Sequence, residues 1–329
     1  MRFLKNIFWN GDERRVRALW RLIGQLIMLI VIALLIEIGL GAVASVIRTA
    51  QGGITVGPMT IPQSPLVMTL ATLGILVAMV VSVWLAGRVL DRRPFADFGL
   101  HLNRNWWIDF GFGLLLGAFI MLLIFLIELG AGWLTVEGTF VSQDPSTPFL
   151  LNLLTPLIIF LAVGIYEELF SRGYQLRNLA EGLNWKWIGP RWAIVIATLL
   201  SSAVFGLAHL GNPNASFISS FNIFVAGAVI LAMGYLLTGE LAIPIGVHIT
   251  WNFFQGNVFG FPVSGGDFGL ATFISIQQGG PDVWTGGAFG PEAGLIGLGG
   301  IFLGGALTAL WVRWRYGRAR LYTQLAEYE

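Results

Sequence analysis

Apolar runs of eighteen or more residues recur along the whole of this 329-residue chain. A run of that length crosses the hydrocarbon core of a bilayer as a helix, so the chain reads as a polytopic, all-α membrane protein. Composition agrees: 56% of residues are hydrophobic and 11% are charged, against about 25% charged in an ordinary soluble domain. Eight spans are expected, near residues 20–47, 66–87, 108–134, 149–171, 192–209, 217–237, 243–260 and 293–312. They would form a bundle of about eight transmembrane helices around an intramembrane polar cavity.

The placement of charge sets an expected orientation. Eighteen of the nineteen Lys and Arg residues fall on one side of an eight-span arrangement. They lie in the N-terminal segment (Arg2, Lys5, Arg14, Arg15, Arg17, Arg21), between spans 2 and 3 (Arg88, Arg92, Arg93, Arg104), between spans 4 and 5 (Arg172, Arg177, Lys186, Arg191), and after span 8 (Arg313, Arg315, Arg318, Arg320). Arg48 alone is on the other side. The positive-inside bias therefore predicts that both termini of this integral membrane protein are cytoplasmic. The net charge of +1 points to no nucleic-acid partner. There is no cysteine, which excludes disulfides, thiol catalysis and thiolate metal sites.

Along the chain, residues 1–147 are expected to form an N-terminal membrane region of an interfacial helix plus three spans. Residues 148–315 would be a five-span core, and 316–329 a cytoplasmic tail. "AVA" at 42–44 resembles a signal-peptidase site, but the apolar stretch before it is too long for a signal peptide, so a retained first span is expected. The stretch 135–148 is expected as an outer loop. Residues 261–292 are Gly-rich, lack Lys and Arg, and are too long for a plain connector; they are expected to cap the bundle or hold a re-entrant piece. The glycines of "GLIGLGGIFLGGA" suit close helix packing through small residues.

A charged side chain at the middle of a span costs about 2.5–3.5 kcal/mol on insertion scales, so polar residues at depth need a reason. Three short stretches stand out: Glu167, Glu168 and Arg172; Phe205 and His209; His248 and Asn252. Residues four apart share a helix face, so Glu168 and Arg172 can pair. Glu167 is rotated about 100° away and is left free for chemistry. His248 and Asn252 share a face in the same way. Two histidines and a free glutamate from three helices can position and deprotonate a water and stabilise an oxyanion. Glu167, His209 and His248 are also a ligand set for a divalent metal such as zinc. Each stretch alone has a plainer meaning, such as a structural ion pair or a packing histidine. All three, on separate spans, are harder to dismiss. Asp109 and Glu128 sit near expected span ends, where they can reach the interface. Gln25, Asn152 and Asn222 suit hydrogen bonding between helices.

The pattern E-E-x-x-x-R, F-x-x-x-H, H-x-x-x-N resembles the signature of the CPBP family. These are intramembrane proteases that include type II CAAX prenyl endopeptidases and the bacteriocin-processing or immunity (Abi) proteins. The matching residues are Glu167-Glu168-Leu-Phe-Ser-Arg172, Phe205-Gly-Leu-Ala-His209 and His248-Ile-Thr-Trp-Asn252, and the resemblance covers roughly residues 150–312. It implies an eight-helix intramembrane endopeptidase with a water-filled cavity open to the cytosol. In it Glu167 would be the general base, and His209 would orient the water or assist proton transfer. His248 and Asn252 would form the oxyanion site, with Glu168 and Arg172 in support. The substrate would be a peptide or lipidated protein processed at the bilayer. A metal is left open by the sequence; the reading taken is a glutamate-dependent hydrolase without an obligatory metal.

Two other classes compete. A transporter or channel would line its path with such residues, but no internal repeat is visible. A non-catalytic immunity or scaffold protein could keep the fold. The sequence also poses a problem of depth. By simple alternation Glu167 ends one span on the cytoplasmic side and His209 ends the next on the far side. For the two to meet, span 4 must run on past Glu167 or span 5 must be short, and convergence nearer the cytoplasm is expected.

Overall fold

The structure, a computed structural model, describes residues 7–50 and 65–328, and of 43–50 the backbone alone. Arg2 and Lys5 lie outside the described residues, as do the side chains of Val43, Ala44 and Arg48. The chain divides into two compact units, Met1–Phe95 and Ala96–Glu329.

In the first unit two helices, α1 (Ala18–Ala50) and α2 (Pro65–Ala86), pack side by side. Gln25 donates to Ser82 Oγ across them at 3.0 Å, the interhelical bond expected of Gln25. A π-helical turn, Gly87–Asp91, extends α2. The interfacial helix expected ahead of the first span is corrected for the described residues. Residues 9–16 instead form a hairpin, β1 (Trp9–Asn10) antiparallel to β2 (Arg15–Val16). The cause is local: Asn10 Oδ1 accepts from the backbone N–H groups of Asp12 and Glu13, an Asx turn that reverses the chain at Gly11.

The second unit holds α3 (Arg104–Gly130), α4 (Phe149–Glu168), α5 (Arg177–Leu183), α6 (Gly189–Ala208), α7 (Phe217–Ala228), α8 (Ile230–Thr238), α9 (Ala242–Phe253), α10 (Asp282–Thr285) and α11 (Leu295–Tyr316). A π-helical stretch, Leu169–Leu176, joins α4 to α5, and another, Phe254–Val258, extends α9. Seven helical runs among the described residues are long and apolar enough to cross a membrane: Ala18–Ala42, Pro65–Asp91, Arg104–Gly130, Phe149–Leu183, Gly189–Gly211, Phe217–Thr238 and Leu295–Tyr316. The eighth expected span, 243–260, is shorter. It is α9 with its π extension, and it is buried along nearly all of its length.

Helix α9 is the axis of this unit, and α3, α4 and α8 pack on it. Glycines set the approach. A Cβ on Gly113 of α3 would fall 2.5 Å from Ile243 O, and one on Gly246 of α9 would fall 2.5 Å from Phe110 O. Small residues spaced four apart on α3 (Gly113, Gly117) thus let two backbones touch without side chains between them. The glycines of α11 act as expected: a Cβ on Gly300 would meet Ile120, and one on Gly304 would meet Ile230.

The stretch expected as a plain loop at 135–148 carries a strand. β3 (Leu134–Ser142) pairs antiparallel with β4 (Ala271–Gln278), Leu134 opposite Gln278 and Ser142 opposite Ala271. Both are rich in β-branched and aromatic residues, which favour an extended backbone. Asp109 and Glu128 do not reach an interface; both are buried. Asp109 accepts from Trp311 Nε1 and the Tyr316 hydroxyl and pairs with Arg315 at 3.1 Å. Glu128 accepts from Gln278 Nε2 of β4. Asn152 donates to Ser142 Oγ and two loop carbonyls rather than joining two helices.

Candidate active site

The problem of depth is resolved by the length of one helical run. It extends from Phe149 through the π stretch to Leu183, 35 residues, about 50 Å at 1.5 Å per residue. Glu167 therefore sits near its middle rather than at its end. Helix α6 starts beside Lys186 and Arg191 and ends at Ala208, and His209, in a 3₁₀ turn to Gly211, lines the same cavity as Glu167. Glu167, His209, His248 and Asn252 line one cavity of about 250 Å³. An adjoining small cavity is lined by His209, His248 and Asn252 together with Phe205, Trp251, Ser264 and Glu292.

The two adjacent glutamates have separate fates. Glu168 is fully buried and its Oε1 accepts from Arg172 Nη1 at 3.0 Å and from His248 Nδ1 at 2.8 Å. Arg172, also fully buried, lies over the Phe205 ring at 4.5 Å. Its Nη2 fits against Gly227 of α7, where a Cβ would stand 2.8 Å away. Gly164 brings α4 onto α9 one turn before Glu168, since a Cβ there would fall 2.6 Å from Ile249. Glu167 keeps 23% side-chain exposure, its Oε2 makes no hydrogen bond to protein, and the nearest cation-forming atom is His248 Nε2 at 3.8 Å.

His209 Nδ1 donates to the carbonyl of Phe205 at 2.8 Å, which leaves Nε2 as the free ring nitrogen. The Phe205 ring lies 4.7 Å from His209 and edge-on to His248 at 6.4 Å, so it spaces the two imidazoles as well as covering Arg172. A π-helical stretch follows the Glu pair directly, and a second follows Asn252 after Phe253. Such stretches shift side chains out of the α-helical register and recur at functional sites.

The donor set expected for a metal is already partly engaged. His248 uses Nδ1 on Glu168, and His209 uses Nδ1 on a backbone carbonyl. Among the described residues no group of three or more His, Asp and Glu side chains is arranged to hold a metal ion. Both histidines thereby keep Nε2 free, and a second-nitrogen bond to a carboxylate or carbonyl is also how metal-binding histidines are oriented.

Other residues at the site carry no recognisable sequence signal. The loop 262–268 closes over the cavity, placing Val263, Ser264, Gly266 and Phe268 in its wall. Glu292 holds this loop: its Oε1 accepts from Ser264 N at 3.1 Å and Ser264 Oγ at 3.2 Å, and its Oε2 from Gln255 Nε2 at 2.6 Å. Asn212, beside His209, donates to Ser264 O at 2.9 Å. Burial raises the Glu292 carboxyl from its usual 4.5 to about 7, against the opposing hydrogen bonds from Gln255 and Ser264.

Fold and site together define a polytopic helical membrane protein with a carboxylate–histidine–arginine centre enclosed by its helices. Residues 149–254, about a third of the chain, match the model of the family described as type II CAAX prenyl endopeptidase Rce1-like. That segment resembles a domain of this protease family, and the match takes in the whole constellation from Glu167 to Asn252. The chain is also 24% identical over 212 residues to the "uncharacterized protein YyaK" of Bacillus subtilis (strain 168). The match covers 60% of the chain and 63% of that protein's length. No solved structure matches. With seven apolar membrane-length helices among the described residues, the protein is an integral membrane protein.

Proposed function

We propose that the protein is an intramembrane endopeptidase that hydrolyses a peptide bond at Glu167. The observation that carries this reading is the unequal treatment of two neighbouring carboxylates. Glu168 is consumed by Arg172 and His248, while Glu167 faces a cavity shared with His209, His248 and Asn252. The protease core is residues 148–315, with α3 and the described tail 316–328 packed on it. Both termini are cytoplasmic, and the substrate is a peptide or protein segment at the bilayer.

The chemistry follows from the geometry. The Glu167 carboxylate takes a proton from a water that the free Nε2 of His209 orients. The resulting hydroxide adds to the scissile carbonyl. With His248 as imidazolium, two cations (His248, Arg172) balance two carboxylates (Glu167, Glu168), and Nε2–H of His248 is a donor toward the cavity. It and the Asn252 amide stabilise the oxyanion, a contribution worth about 10²–10³ in rate per donor. Glu167 then returns its proton to the leaving amine. Glu168 holds the tautomer and orientation of His248 and is itself held by Arg172. No step is routed through a metal.

The test is Glu167→Gln beside wild type on a panel of prenylated and leader-peptide substrates. Cleavage is expected to fall by at least 10³-fold with unfolding temperature unchanged; undiminished turnover by folded Glu167→Gln would refute the reading. The same assay in EDTA should retain activity. Loss that zinc restores would assign a metal to Glu167, His209 and His248.

A further inference from the structure

The second unit has two chemically different ends. One end gathers the start of α3, the end of the run 149–183, the starts of α6 and α9, and the end of α11. Arg104, Arg177, Lys186, Arg191, Arg313, Arg315, Arg318 and Arg320 lie there. The tail 317–328 is tied to the same end, with Tyr322 N donating to Leu236 O and Asn184 Nδ2 to Ala326 O. The other end holds β3 with the connector to α4, the turn 209–216 and the stretch 259–294 with β4. It contains no Lys or Arg and five acids: Glu137, Asp144, Asp267, Asp282 and Glu292. Every other cation of the unit is at the first end, except Arg172 in its buried pairing.

The cavity at Glu167 belongs to the second end. Its connector walls are Asn212, Pro213 and the loop 263–268, and no residue of the basic end lines it. Toward the basic end the helical run is plugged: Glu168, Leu169, Ser171, Arg172, Gly173, Tyr174 and Leu176 are all buried. A large cavity of about 590 Å³ does open at the basic end, among Asp109, Glu240, Arg318 and Tyr322. It shares no lining residue with either cavity at His248. Lysine and arginine are retained on the cytoplasmic side of a membrane protein.

We therefore infer that the catalytic cavity opens on the extracytoplasmic face, opposite to the cytosolic opening that the family resemblance implies. This rests on the proposed peptidase reading for its chemistry but not for its orientation. The substrate is then a polypeptide whose scissile bond lies outside the cytoplasm, either translocated or anchored with that segment exposed. A prenylated C-terminus completed in the cytoplasm does not reach Glu167 from its own side.

The absence of cysteine makes the test clean. Gly211→Cys, beside His209, places its side chain in open space, and Ala319→Cys lies on the exposed tail at the basic end. In intact expressing cells a membrane-impermeant maleimide should label Gly211→Cys at least tenfold more than Ala319→Cys. Permeabilisation should equalise them. The reverse pattern, or equal labelling of both before permeabilisation, overturns the inference. A single-span reporter carrying a cleavable leader segment on either side should be cut only with that segment outside, and only when Glu167 is present. Labelling reads orientation without hydrolysis, so an inactive but correctly labelled protein would fail the peptidase reading alone.

Discussion

Glu168 and Glu292 are two buried glutamates of one unit, held in opposite ways. Glu168 faces two cation-forming partners, Arg172 and His248, at hydrogen-bond distance. Glu292 has none; an amide, a hydroxyl and a backbone N–H hold it. Burial disfavours a bare carboxylate, and at Glu292 no counter-charge offsets it. The Glu168 region is thus a fixed electrostatic frame for His248. The Glu292 region is a clasp on the loop 262–268 whose charge changes near neutrality.

Breaking the frame should have the largest effect. Arg172→Met leaves Glu168 buried without its guanidinium, and loss of one partner of such a pair costs about 3–5 kcal/mol. Thermal unfolding in detergent should show the loss, and cleavage should disappear with it. Adding Glu168→Gln to Arg172→Met should recover most of the stability and none of the activity. If the double variant is as unstable as the single, Glu168 is not held as a charge.

The clasp should respond to pH. Glu292 binds its proton more tightly folded than unfolded, so its contribution is fully present below about pH 4.5 and is lost as pH rises to about 7. Glu292→Gln should flatten the fall in melting temperature across that window and leave the variant the more stable of the two at pH 8. An unchanged slope would place the titration elsewhere. The smallest effect belongs to Ser264→Ala. It removes one of the hydrogen bonds to Glu292 and spares the backbone N–H, so a loss of about 0.5–1.5 kcal/mol is expected in denaturation. The pH slope should persist in this variant.

The sequence pattern located the frame but not the clasp, for a physical reason. Glu168 and Arg172 are four apart on one helix, a spacing that itself predicts contact. Glu292 meets Gln255 and Ser264 from 37 and 28 positions away through irregular backbone. Nothing periodic connects such residues. The same limit explains β3: without knowledge of its partner at 271–278, residues 134–142 carry only a local extended preference. It also explains α9, whose apolar length suggested a span and whose shorter helix is the buried axis of its unit. Asp109 and Glu128 were expected near a surface because a helix end can be placed from sequence, whereas Trp311, Tyr316 and Gln278 arrive from distant elements.

By itself the sequence determined the membrane class, the helical architecture, the two-sided distribution of charge and the six polar residues that meet. Hydrophobic length and helical spacing are local properties, and each of these follows from them. Only the tertiary structure decided that Glu167 lies midway along a 35-residue helical run and which of two adjacent carboxylates is spent on a histidine. It alone decided which end of the bundle walls the cavity. Those outcomes depend on where separate helices touch, and the contact of Gly164 with Ile249 or of Gly227 with Arg172 is written in no single segment.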